Sequence, residues 1–230
     1  VGFMRRFDEA YQRLREGIDS GQVGDPILFK SFGRDPCCPD PDFADPAHSG
    51  GIILDMGIHE FDLARWLVGS EVERVSADGK LLACEELRGL RDFDNAVVNL
   101  TFEDGALGQV EVSRNSTYGY DISTEVMGTD GVARVRGCRD GGAANSSTVI
   151  EGDGEAKNDH YLTDRFGGAY RAQIHDFVAC VREGRVPSVT GEDARAAFDI
   201  GLAATYSARV ERPVDVADVR DGWAPEHAIL

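Results

Sequence analysis

Five stretches between residues 72 and 135 alternate apolar and polar residues with a period of two, and the segments on either side of them read as helices. The stretches are Val72 to Ala83, Ala96 to Phe102, Leu107 to Ser113, Ile122 to Met127 and Val132 to Val135. Period two puts successive side chains on opposite faces of a strand, so each stretch has one face to bury. Asp104-Gly105 and Asp130-Gly131 are tight-turn pairs between neighbours. The spacing predicts an antiparallel meander. Strands and helices in separate runs predict an α+β fold, a large mostly antiparallel sheet with helices packed on one face. With 230 residues, 42% of them hydrophobic, the chain can fill such a core.

The flanking segments supply the helices. Residues 8–21 form one, with Asp8 as N-cap, Tyr11, Leu14 and Ile18 at helical spacing and Gly21 as the stop. Pro26 to Gly33 reads as a strand. Pro36, Pro39, Pro41 and Pro46 follow and bar regular structure, so residues 36–49 are expected to be an exposed excursion. Gly50-Gly51 opens a helix from Ile52 to Leu67. Residues 137–160 read as a loop around one short strand, Thr148–Ile150. Two helices follow, Tyr170 to Arg182 and Glu192 to Arg209, the second with a Thr190/Asp193 capping pair. A short strand, Val214–Val216, closes the sheet.

Charge narrows the function. Acids outnumber bases 41 to 24, for a net charge of −17, and such a surface repels phosphate backbones, which argues against nucleic acid. No apolar run approaches the roughly 18–20 residues a membrane helix needs, and Val1-Gly2-Phe3-Met4-Arg5-Arg6 has no apolar signal core, which argues against a membrane. The five cysteines (Cys37, Cys38, Cys84, Cys138, Cys180) make neither a zinc spacing nor a dense disulfide framework, and a reducing cytoplasm fits them best. The sequons at Asn115 and Asn145 then read as chance matches. The chain starts with valine, the expectation for a piece of something larger.

The chemistry-bearing motif lies in Gly50-Gly51-Ile52-Ile53-Leu54-Asp55-Met56-Gly57-Ile58-His59-Glu60-Phe61-Asp62-Leu63. On one continuous helix Asp55, His59 and Asp62 share a stripe. A carboxylate beside an imidazole fixes its tautomer, and such a histidine can take a proton from a hydroxyl. On spacing alone structural pairing is the commoner explanation, and a zinc or manganese site is a third reading, although no second histidine follows at zincin spacing. Asn115-Ser116-Thr117-Tyr118-Gly119-Tyr120-Asp121 is either a polyol-lining strand edge or a tyrosine-rich turn. Arg34-Asp35-Pro36 ends the first strand, as a polar site or as a surface ion pair. His175 reads as a core-edge histidine, His160 and His227 carry no signal, and Cys37-Cys38 reads as inert. No Gly-x-Gly-x-x-Gly fingerprint is present; Gly152-Asp153-Gly154 lacks the third glycine, so no cofactor-binding residue is assigned.

Together these residues resemble the glucose–fructose oxidoreductase / inositol dehydrogenase (Gfo/Idh/MocA) family, nearest to its myo-inositol 2-dehydrogenases. The resemblance rests on Phe3-Met4-Arg5-Arg6-Phe7-Asp8, Gly24-Asp25-Pro26, the helix Gly50–Leu67 and Tyr118-Gly119-Tyr120-Asp121-Ile122. It continues through Val126-Met127-Gly128-Thr129-Asp130-Gly131, Arg165-Phe166, Ala169-Tyr170 and Phe177, and ends with Pro187 to Asp193. It implies that residues 1–230 are a dihydrodipicolinate-reductase-like C-terminal domain that binds substrate and self-associates through its sheet, as dimer or tetramer. It also implies that an N-terminal dinucleotide domain for NAD or NADP lies outside this chain, with the family's Glu-Lys-Pro segment. By carry-over Asp55 and His59 are the catalytic pair, His59 as general base. Asp35, where the inositol enzymes often have asparagine, and Tyr118 and Tyr120 contact a polyol or sugar. Asp62, which the resemblance does not assign, is expected to support His59 or to make a helix contact. The implied reaction is oxidation of a secondary alcohol to a ketone, with no activity in the isolated chain. Two other readings stay open: a stand-alone dimerising or regulatory module, and a metal-dependent hydrolase using the Asp–His–Asp stripe.

Overall fold

A computed structural model describes residues 2–117, 119–136, 149–151 and 162–220. Its centre is an eight-stranded sheet in the order β7-β6-β5-β1-β4-β3-β2-β8. In chain order the strands are β1 (Pro26–Arg34), β2 (Val72–Lys80), β3 (Asn95–Phe102), β4 (Leu107–Ser113), β5 (Asp121–Gly128), β6 (Val132–Val135), β7 (Val149–Glu151) and β8 (Val214–Asp215). The helices are α1 (Glu9–Asp19), α2 (Pro41–Ala44), α3 (Pro46–Ser49), α4 (Ile52–Asp55), α5 (Gly57–Val68), α6 (Leu162–Glu183), α7 (Gly191–Val210) and α8 (Val216–Arg220). No helix among the described residues is long and apolar enough to cross a membrane. Of the 137–160 loop, only the three residues of β7 are described; Gly152–Gly154, His160, His227 and the Asn145 sequon lie outside.

The α+β class and the alternation hold, but the simple meander does not. β2, β3 and β4 form a meander and β5 and β6 a hairpin. β1 is wedged between them, antiparallel to β5 and parallel to β4 (Phe29 opposite Gly108, Ser31 opposite Val110). Alternation identifies a strand; it does not name its neighbours. The inner row runs Val126, Phe29, Gly108, Leu100 and Val75 across five strands, and its side chains are buried. The opposite face carries Lys30, Gln109, Val97 and Asn99, all exposed.

Above the inner row lie α5 and α7. Phe61, Leu63, Ala64 and Leu67 of α5 are wholly buried, each large side chain contributing about 1.5–3 kcal/mol of transfer free energy. α7 starts at the expected capping box, Thr190 and Asp193 satisfying each other's backbone amides. α1 likewise starts at Asp8, whose carboxylate accepts from the amides of Ala10 and Tyr11. The 36–49 excursion is less bare than expected. Its prolines start the two short helices α2 and α3, and Ala44 is buried with Cys84 and Leu87 in a small separate core. That core surrounds a disulfide, Cys38–Cys84, joining the excursion to the 81–94 loop. The reading of Cys37-Cys38 as inert is thus corrected for Cys38: its partner lies 46 residues away in sequence, which spacing alone does not reveal. Cysteine usage no longer argues for a reducing compartment.

The largest local correction concerns the expected helix Ile52–Leu67. It breaks at Met56 into α4 and α5. Gly50 and Gly51 lead into it with φ of 80° and 86°, backbone conformations that glycine adopts without strain. A Cβ on Gly51 would stand 2.8 Å from an Asp92 carboxylate oxygen.

Candidate active site

One end of the sheet gathers the polar groups. The register sets Arg34, Ser113, Asp121 and Asn95 side by side there, so the residues just beyond these strand ends share one rim. They are Asp35 after β1, Asp92 and Asp94 before β3, Arg114 after β4 and Tyr120 before β5. The break between α4 and α5 delivers Asp55 to this rim.

Arg114 is at the centre, and sequence reasoning missed it. Its guanidinium donates from Nη2 to Asp55 Oδ2 (3.1 Å) and from Nη1 to Asp92 Oδ2 (3.2 Å). The arginine side chain is 2% exposed, Asp92 7% and Asp55 28%. Asp55 is thus the member of the cluster that faces out. Asp92 also accepts from the Ile52 amide (2.9 Å), the start of α4. Beside it Asp94 accepts from the amides of Leu82, Ala83 and Cys84. Burial pushes the Asp94 carboxyl up, but these donors outweigh it and hold the group below its usual range. The sequence signal for Arg114 was its position beside the Asn115–Asp121 cluster, directly after an apolar strand.

Asp35 belongs to the same rim. Its own backbone is pinned: its amide donates to Ser113 O and its carbonyl accepts from the Ser116 amide. Burial raises its carboxyl above the ordinary value, the negative Asp55 raises it further, and Arg114 and Arg5 pull the other way. Tyr120 is buried, and its hydroxyl is pushed up by burial against Arg5, with Asp35 and Glu60 adding to the rise. Tyr120 and Asp35 are therefore brought together. Tyr118 lies outside the described residues. Arg34 makes a two-pronged bond to Glu111 at 2.8 and 2.9 Å.

Asp55 accepts from Arg114, and its carboxylate makes no hydrogen bond to the buried Nδ1 of His59. The His59 ring meets Phe3 edge-on, with centroids 6.1 Å apart, and its buried Nδ1 has no hydrogen-bond partner. Burial and the positive Arg5 push its pKa down to about 3, so the ring is neutral. Beneath it a second missed pair, Arg5–Glu60, is fully buried, with Glu60 also accepting from the Ser31 hydroxyl. Gly33 makes room for it: a Cβ there would stand 2.9 Å from Glu60 Oε1. An acid inside an apolar helix face was the signal for this pair.

Asp62 does not support His59. It accepts two bonds from Arg6, at 2.9 and 2.6 Å, and Arg6 bonds onward to Asp193 at 3.0 Å. His175 is exposed on α6 and not at the core edge. Cys37 is exposed and free, while its neighbour Cys38 is in the disulfide. Among the described residues no group of three histidines, cysteines or acids is placed to hold a metal, and the two acids of the Asp–His–Asp stripe that the hydrolase reading requires are bonded to Arg114 and Arg6. Nor does the fold offer a dinucleotide cradle: β1 runs into Asp35-Pro36, and among the described residues no strand enters a helix through a glycine-rich turn.

A family model, the GFO/IDH/MocA C-terminal domain, matches residues 11–134. The chain belongs to the GFO/IDH/MocA family. It is 40% identical over 226 residues to the scyllo-inositol 2-dehydrogenase (NAD(+)) of Bacillus subtilis, covering 97% of this chain and 64% of that protein. A crystal structure of a putative myo-inositol dehydrogenase from Sinorhizobium meliloti matches with a TM-score of 0.82 at 32% identity, over 94% of this chain and 64% of that one. The scyllo-inositol dehydrogenase of Lactobacillus casei, solved with NAD(H) and scyllo-inositol, matches with a TM-score of 0.80 at 28% identity, again over 94% and 64%. The chain thus spans just under two thirds of the length of these relatives.

Proposed function

We propose that residues 1–230 form the substrate-binding, C-terminal side of an NAD-linked dehydrogenase that oxidises a secondary alcohol of an inositol, or a related polyol or sugar, to a ketone. The observation carrying this reading is the rim itself, in a chain 40% identical to a scyllo-inositol 2-dehydrogenase. A neutral imidazole with an unpartnered nitrogen lies in the same field of Arg5 as Asp35 and Tyr120.

His59 takes the hydroxyl proton, and only the neutral ring can do so. Its depressed basicity is tolerable, because an alcohol that is losing hydride becomes far more acidic as the ketone forms. Asp55, held by Arg114, accepts a hydrogen bond from the reacting or a neighbouring hydroxyl, and Asp35, Tyr120 and Tyr118 line the ring. The nicotinamide, which takes the hydride, is held by a domain outside this chain, so the 230 residues alone are inactive. NADP in place of NAD remains an outcome of the assay. The exposed sheet face, with Lys30, Val97, Asn99 and Gln109, is the self-association surface.

The test is NADH formation by the protein carrying the sequence that precedes Val1 in its gene, with scyllo-inositol, myo-inositol and glucose offered separately. Oxidation of at least one cyclitol is expected, and none from the 230-residue chain. Turnover by that short chain, or none by the long protein on any cyclitol or sugar, removes the proposal. Sedimentation of the chain with Val97→Glu checks the sheet face: a lighter species than wild type is expected.

A further inference from the structure

We propose that Arg114 is the positioning residue of this site: it aims the Asp55 carboxylate and fixes the short helix that carries it. The inference rests on the dehydrogenase reading for its catalytic meaning and on geometry for its structural one.

Arg114 is the bulkiest of the fully buried side chains. A guanidinium is kept out of water only where its charge and its N–H groups are matched. Here each end of the fork has one carboxylate, and both carboxylates act on α4. Asp55 is its last residue. Asp92 reaches its first amide, at Ile52, through the same oxygen that accepts from Arg114. One side chain thus holds both ends of a four-residue helix, too short to hold itself. The arginine is itself anchored: its amide donates to Asp94 O at 2.9 Å, and the Asp94 carboxylate is fastened by three amides of the 81–94 loop. Rigid loop, buried arginine and half-exposed carboxylate form a line from sheet to rim.

Lysine cannot replace it. An ammonium is a point charge without the fixed fork, so it can serve Asp55 or Asp92 but not both in this geometry. An Asp55 free to rotate presents the hydroxyl acceptor in the wrong place, and misplacement by about 1 Å costs on the order of 10²-fold in rate.

The experiment is a double-mutant cycle in the full-length enzyme with Arg114→Met, Arg114→Lys, Asp55→Asn and the Arg114→Met/Asp55→Asn pair. Arg114→Met is expected to lower kcat by about 10- to 100-fold with KM changed less than about threefold, and Arg114→Lys to fall between it and wild type. The double variant is expected to be no slower than Asp55→Asn alone, because Arg114 works through Asp55. Losses that multiply, or an unchanged kcat in Arg114→Met, overturn the proposal. A second arm needs no turnover. In the 230-residue chain, amide exchange at residues 52–56 is expected to quicken at least about tenfold in both Arg114→Lys and Asp92→Asn. Exchange unchanged from wild type overturns the structural half, whatever the activity shows. A wild-type enzyme that oxidises no cyclitol or sugar defeats the dehydrogenase reading instead, and the exchange arm then decides alone whether Arg114 fixes α4.

Discussion

Two arginine–carboxylate clusters flank helix α5, and they are built to opposite purposes. At the far side Arg6 gives Asp62 two bonds and Asp193 a third. Arg65 lies 3.7 Å from Asp193 and bonds Glu71 twice. Every carboxylate there meets an arginine, and the cluster ties the chain start to α5 and α7. At the rim Arg114 meets Asp55 and Asp92, Asp35 adds a third carboxylate, and Asp55 keeps 28% of its side-chain surface open. A balanced cluster is a clamp. One with excess acceptors and an exposed member has capacity left for a ligand.

The sharpest way to break the comparison is to remove the central acid of each. Asp62→Ala leaves Arg6 buried beside one partner and is expected to destabilise the fold by about 3–5 kcal/mol, the usual result of breaking a buried pair. Urea unfolding measures it, and a loss below about 1 kcal/mol, the surface-pair range, would make the clamp ornamental. Asp55→Ala, half exposed, is expected to cost less stability than Asp62→Ala in the same titration.

The next effect belongs to activity. In the full-length enzyme His59→Ala is expected to lower kcat by about 10²-fold or more, the scale of losing a general base, with unfolding little changed. A change confined to KM counts against the base assignment. Smaller again is the disulfide. Reducing Cys38–Cys84, or replacing both by serine, is expected to cost about 2 kcal/mol. The loss should appear first as faster amide exchange in residues 36–49 and 81–94, because the small core of Ala44, Cys84 and Leu87 is separate from the main one. Uniform loosening of the sheet would show that the two cores are one.

Most of the sheet was legible because alternation is local: β3, β4, β5 and β6 match their predicted strands within two residues at each end. Caps were legible for the same reason, Asp8 and Thr190 lying beside the amides they bind. What was not legible is pairing at a distance. Nothing local to β1 says that it lies parallel to β4, and nothing near Cys38 points to Cys84. The partners of Asp55 and Asp62 are arginines 59 and 56 residues away, Arg114 and Arg6, which periodicity within the helix does not name. Arg114 escaped because an arginine after a strand is by itself an ordinary surface residue. Only the burial of its neighbours makes it the hub.

The smallest effect tests the comparison by its sign. His59 is pushed down to about 3 by burial and by Arg5, against about 6.5 in an unfolded chain. Between those values the unfolded state binds the proton and the folded state does not, so His59 makes stability fall as pH drops below about 6.5. Asp62 is raised to about 6 by burial, which outweighs the pull of Arg6, against about 3.9 unfolded. Its contribution is fully present below the unfolded value and is lost as pH rises through about 6. From about pH 4 to 6 the two slopes oppose and partly cancel in wild type. His59→Gln removes the acid-side loss, so its stability relative to wild type should be higher at pH 4.5 than at pH 7.5. Asp62→Asn removes the opposite slope, and its stability relative to wild type should be lower at pH 4.5 than at pH 7.5. Urea midpoints at the two pH values measure both differences, each expected at about 1 kcal/mol or more, the free energy of one pKa unit. Two variants that shift with pH in the same direction would mean that the surroundings of His59 and Asp62 do not differ in the way their partners imply.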